Sequence, residues 1–148
     1  MEAQQDFKEL LELFNARGVE FLIVGGYALA FHGAPRFTGD LDVLVKPDSD
    51  NAARVLAALA DFGFGSLALT TADFDKPEQV VQLGVPPVRV DIITSLSGIA
   101  WQAAFSGRAA GEYGGVPVCY IGRSEFIANK RATGRAKDLA DIEALGER

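Results

Sequence analysis

The chain has 148 residues, 49% hydrophobic and 23% charged, the balance of a soluble globular protein with enough chain for one domain and its own core. Its net charge of −6 argues against broad, charge-driven nucleic-acid binding, and one cysteine with one histidine excludes an internal disulfide and leaves little for a zinc site. The acidic start Met1-Glu2-Ala3-Gln4-Gln5-Asp6, with no apolar run near the roughly 20 residues of a membrane span, predicts a cytoplasmic protein without signal peptide or membrane anchor.

Asp6 to Arg17 reads as an amphipathic helix, with Phe7, Leu10, Leu11 and Phe14 at i, i+3, i+4 and i+7. Asp6 and Glu9 resemble a capping box, and Gly18 ends the helix. Phe21 to Val24 is a continuous apolar run of the kind buried on both faces of a sheet. Gly25-Gly26 breaks it, Tyr27 to Phe31 offers one or two helical turns, and Gly33 with Pro35 ends them. Asp40 to Val45 is the second strand, followed after Lys46-Pro47-Asp48 by a helix from about Asn51 to Asp61. Phe62 to Gly65 reads as a turn into the weak apolar segment Leu67 to Leu69, and Thr71 to Gln79 has no clear pattern. Val80 to Leu83 and Val88 to Ile93 read as strands around Gly84-Val85-Pro86-Pro87. A helix from Ile99 to Phe105, a short strand from Val116 to Ile121, and two helices at about Glu125–Thr133 and Ala136–Leu145 complete the chain. Cys119, in V-P-V-C-Y, reads as a small buried hydrophobe. Strands and helices in this order predict an α+β protein with helices on a mixed sheet.

The chemistry is concentrated in two places. Asp40 and Asp42 are two apart on a strand, so they share a face while Leu41 and Val43 point to the core. Two carboxylates so placed repel each other, and a hard divalent cation such as Mg²⁺ would offset the cost. Local capping by loop-edge aspartates is the plainer alternative. Upstream, Gly25-Gly26 bares backbone N–H groups at a helix start, where phosphate binds well. The second place is Arg123, Lys130, Arg131, Arg135 and Lys137, five cations within fifteen residues. Asp91 is a charge inside an apolar strand, and Arg89, at the same-face spacing, could pair with it. Lys137 could pair with Asp141 at i, i+4. His32, Tyr27 and Trp101 read as packing residues.

Gly25-Gly26, thirteen residues, then Asp40-Leu41-Asp42 resembles the signature of the nucleotidyltransferase superfamily that includes polymerase beta. His32-Gly33, Arg36, Thr38 and the late R-A-T-G-R-A-K-D-L-A-D-I-E-A-L are similar to small bacterial nucleotidyltransferase-like proteins related to the AbiEii toxins. The likeness covers nearly the whole chain as one domain, with a C-terminal helical pair at about 124–146. It departs at Gly26, where many active relatives carry serine and its hydroxyl. The resemblance implies that Asp40, Asp42 and Asp91 hold Mg²⁺ (or Mn²⁺) and that Asp91 takes the acceptor's proton. It further implies that Gly25, Gly26, Arg36 and Lys130 bind nucleotide phosphates, with weaker roles for Arg135, Lys137 and Asp138. The implied reaction passes an NMP group from an NTP to a hydroxyl of an RNA end, a protein or a small molecule. The alternative is a non-catalytic nucleotide- or partner-binding module, one half of a toxin–antitoxin-like pair.

Overall fold

The computed structural model describes residues 4–34, 39–65, 67–85 and 87–146. In chain order the elements are α1 (Gln5–Ala16), β1 (Phe21–Val24), α2 (Gly25–Phe31), β2 (Asp40–Val45), α3 (Ser49–Leu59), β3 (Val80–Val85), β4 (Val88–Ile93), α4 (Trp101–Ser106), β5 (Ala109–Tyr113), β6 (Val116–Tyr120), α5 (Arg123–Thr133) and α6 (Ala136–Ala144). The six strands form one mixed sheet in the order β3-β4-β2-β1-β6-β5. This is the α+β arrangement of helices on a mixed sheet that the strand and helix order implies.

The apolar run of β1 lies near the middle of the sheet and is buried along its whole length. It runs antiparallel to β2, with Val24 opposite Asp42, and parallel to β6. β2 in turn runs parallel to β4, which places Asp42 opposite Asp91 and Asp40 opposite Arg89. Phe7, Leu10, Leu11 and Phe14 of α1 are almost wholly buried, as their spacing predicts. They join β1, the inward residues Leu41 and Val43, and Val55 and Leu59 of α3 in one hydrophobic cluster. Asn51 is completely buried at the start of α3. Its side chain bonds Glu20 N–H and the carbonyls of Glu20 and Lys46, tying that helix to the ends of β1 and β2.

Two local expectations change, and a segment that carries none becomes a strand. Ala109–Tyr113 is a strand, β5, paired antiparallel with β6 through Gly114-Gly115. Its Ala-Ala-Gly start has little intrinsic strand preference, so pairing with β6 decides its conformation. β3 continues to Val85, two residues past Leu83. Cys119 is half-buried and packs against the edge of the core rather than inside it. The C-terminal helical pair is present, and Gly134 separates it as the left-handed cap of α5, with φ 63° and its N–H on the Lys130 carbonyl.

Candidate functional site

β1 ends opposite Asp42, so the chain turns into α2 directly over that carboxylate. Gly25 makes the turn with φ 68°, a region that side chains disfavour. A Cβ on Gly25 would collide with the Asp42 carboxyl group. The glycine is therefore required twice, by its conformation and by its contact with Asp42. Gly25 and Gly26 both lie inside the first turn of α2, whose N–H groups have no partner within the helix. Gly25→Ala is expected to cost about 2 kcal/mol or more, from the backbone conformation and the collision together. Thermal melting of the variant measures it, and an unchanged Tm would show that the turn relaxes freely.

Asp40 and Asp42 share a face of β2, and Asp91 lies beside Asp42 on the parallel neighbour β4. Burial pushes the Asp42 carboxyl up to about 6, helped by the charges of Asp91 and then Asp40. Lys130 and Arg89 act in the opposite sense, which puts both cations within electrostatic reach of this acid. Arg89 takes hold of Asp91 at two points. Its Nε donates to Oδ1 at 3.0 Å and an Nη to Oδ2 at 3.1 Å. The same Nε lies 3.8 Å from Asp40 Oδ2. The pairing of Asp91 with Arg89, one of the two partners the sequence allows, is thus present.

Among the described residues, no group of three or more His, Cys, Asp or Glu side chains is arranged to hold a metal ion. The donor set nonetheless suits one chemically. Asp40 and Asp42 offer hard oxygens from a rigid strand, and the raised pKa of Asp42 marks an acid whose charge is disfavoured first by burial and then by its neighbours Asp91 and Asp40. Asp91 would add a third carboxylate once released by Arg89.

Lys130 is not a solvated helix-surface lysine. Its side chain is only 15% exposed, and Nζ lies 3.4 Å from Asp138 Oδ1 and 3.6 Å from Asp141 Oδ2. Asp138 is wholly buried and also receives Arg135, through Nε at 2.8 Å and through the backbone N–H at 3.2 Å. The Arg135 hydrogen bond holds the Asp138 carboxyl well below the usual carboxylate range. Asp138 therefore has a structural occupation as the acid of the α6 capping box, accepting the backbone N–H of the cap residue Arg135, and as the anchor of Lys130. The sequence suggests Lys137 as the partner of Asp141, but that buried carboxylate takes Lys130, and Lys137 is exposed.

The remaining cations separate. Arg123 lies seven residues before Lys130, about 10 Å along α5, and donates to the Leu145 carbonyl at 2.7 Å. Arg135 is 64% exposed despite its hold on Asp138. Arg36 and Thr38 lie outside the described residues. His32 Nε2 donates to the Ile121 carbonyl at 2.7 Å, so the lone histidine serves packing. Tyr27 is buried against Phe7 and Tyr113, and burial followed by its bond to Tyr113 raises its phenol above the ordinary value. Trp101 stacks on Phe105 at the edge of the core.

No protein-family model and no curated protein matches the sequence. Solved structures do match its fold. A nucleotidyltransferase candidate (TM1012) from Thermotoga maritima superposes with a TM-score of 0.62 at 15% identity, covering 96% of this chain and 91% of its own. The lincosamide antibiotic adenylyltransferase LnuA, with lincomycin bound, gives 0.55 at 13% identity over 98% and 97% of the two chains. ANT(2")-Ia, in complex with adenylyl-2"-tobramycin, gives 0.56 at 13% identity over 94% and 84%. The order of the six-stranded sheet, the glycine turn over Asp42 and these superpositions together give the chain a nucleotidyltransferase fold.

Proposed function

We propose that this protein is a metal-dependent nucleotidyltransferase that passes an NMP group from an NTP to an acceptor hydroxyl. The observation that carries the reading is the junction of β1, β2 and β4: Gly25 lies against Asp42, Asp40 shares its face, and Asp91 lies beside it. Asp40 and Asp42, joined by Asp91, would hold Mg²⁺ or Mn²⁺, which when bound neutralises phosphate charge. The first-turn N–H groups of Gly25 and Gly26 would receive the β- and γ-phosphates. Lys130, fixed by Asp138 and Asp141, would supply a positive charge to the same end of the nucleotide. Arg36, Arg135 and Lys137 would add further positive charge to nucleotide binding. The acceptor oxygen attacks the α-phosphorus in line, its proton passes to Asp91, and the α–β bridging bond breaks to release pyrophosphate. Positioning and charge neutralisation would supply most of the acceleration.

The two adenylyltransferases with this fold support NMP transfer as the reaction class. No helix among the described residues is long and apolar enough to cross a membrane. The cytoplasmic setting we propose rests on the single cysteine, which allows no internal disulfide. Similarity of the motifs to AbiEii-related proteins supports a toxin–antitoxin-like context with a partner protein. The test is transfer of label from an α-phosphate-labelled NTP with Mg²⁺ and cell extract. The parent is expected to label an RNA end, a protein hydroxyl or a small molecule, and the labelled fraction identifies the acceptor class. Asp40→Ala is expected to lose the labelling.

A second reading draws on the two-point pairing of Arg89 with Asp91, which occupies the proposed base. It is a non-catalytic nucleotide- or partner-binding module. Tight metal–NTP binding with no label in any fraction would select it.

A further inference from the structure

We propose that Arg89 is a positioning residue that competes with a divalent cation for Asp91, so that in the metal-free site both Asp91 oxygens are held in an ion pair. The proposal rests on the reading of Asp40, Asp42 and Asp91 as metal-binding acids. Its own observation is the placement of one guanidinium among them. Arg89 precedes Asp91 by two residues on β4, so their side chains share a face, and it is in register with Asp40 on β2. From there it makes two parallel contacts to Asp91, at 3.0 and 3.1 Å, while its Nε remains 3.8 Å from Asp40. A planar fork on both oxygens is the strongest form of this pairing and is specific to arginine. It uses the oxygens that a third metal ligand would offer. The Asp91 side chain is 15% exposed and that of Arg89 31%, so the contact is partly shielded from water.

Two consequences separate this role from ordinary ion pairing. A cation entering the site must displace the fork, so parent affinity for metal is lowered by the free energy of that contact. Arginine-to-lysine replacement keeps the charge but loses the fork. If Arg89 merely contributed positive charge through space, Arg89→Lys would bind metal like the parent. If the fork is the competitor, Arg89→Lys and Arg89→Gln both bind metal more tightly.

The experiment titrates the full-length protein with Mn²⁺ alone, followed by electron paramagnetic resonance, in the parent, Arg89→Lys and Arg89→Gln. Thermal melting without metal accompanies it and reports whether each variant is folded. Arg89→Lys is expected to bind Mn²⁺ about tenfold more tightly than the parent, since a charge-assisted two-point contact is worth at least that factor. Arg89→Gln is expected to gain as much or more, with a lower metal-free Tm because Asp91 loses its two-point partner and Asp40 a nearby cation. Equal Mn²⁺ affinity in the parent and Arg89→Lys overturns the proposal and leaves the metal site standing. Absence of Mn²⁺ binding in all three folded proteins overturns the metal site and, with it, the competitor role.

Discussion

Asp42→Asn is expected to stabilise the metal-free protein at neutral pH while removing metal-dependent NTP binding. Asp42 is the acid most burdened by its surroundings, with its carboxyl raised from 3.8 to about 6 by burial, Asp91 and Asp40. A raised acid pKa favours the folded state fully below the unfolded value, and the advantage is lost as pH rises through the folded value. The metal-free parent should therefore lose stability between about pH 4 and pH 6, by an amount on the order of 3 kcal/mol. Asparagine has the same shape and no charge, so the variant should match the parent near pH 4 and exceed it at pH 7. The same change removes a ligand oxygen from the proposed metal site. Mg²⁺-dependent NTP affinity is expected to fall tenfold or more by calorimetry. A variant less stable than the parent at pH 7, or one that keeps its metal-dependent NTP affinity, would contradict this account of Asp42. Stability and function are expected to move in opposite directions because the charge repulsion that weakens the metal-free fold is what the proposed cation would offset.

Asp138→Ala is expected to behave in the opposite way, losing about 3 kcal/mol and lowering Tm by roughly 6–12 °C. Asp138 is wholly buried, is the acid of the α6 capping box, and receives both Arg135 and Lys130. Because its carboxyl is held below the usual range, chiefly by Arg135, its contribution is present above the ordinary carboxylate pKa and lost as pH falls below it. The destabilisation should therefore be largest at neutral pH and shrink below about pH 4. Lys130 would keep Asp141, 3.6 Å away, and its place over the Phe126 ring, but would lose the closer of its two carboxylates. Binding of triphosphate should accordingly weaken more than binding of monophosphate, measured by calorimetry on the folded variant. A normal melting curve with lost transfer would instead make Asp138 a catalytic acid.

Much of this protein can be read along the chain because its signals are local. The 3.6-residue spacing of Phe7, Leu10, Leu11 and Phe14 specifies α1 and its buried face. The unbroken Phe21 to Val24 run specifies a buried strand, and the two-residue spacing of Asp40 and Asp42 specifies carboxylates on a common face. Gly25-Gly26 marks the point where strand becomes helix. β5 escapes such a reading because Ala109, Ala110 and Gly111 acquire strand form from β6, not from their own preferences. Only the tertiary structure decides how distant segments meet. The register of β2 with β4 sets Asp91 beside Asp42 and Arg89 beside Asp40, a relation between residues about fifty positions apart. Packing of α6 on α5 decides that Asp138 and Asp141 face Lys130, while Lys137, close to both in sequence, is left exposed. Periodicity determines which way a side chain points; what it meets there depends on sheet order and helix packing, which no single segment encodes.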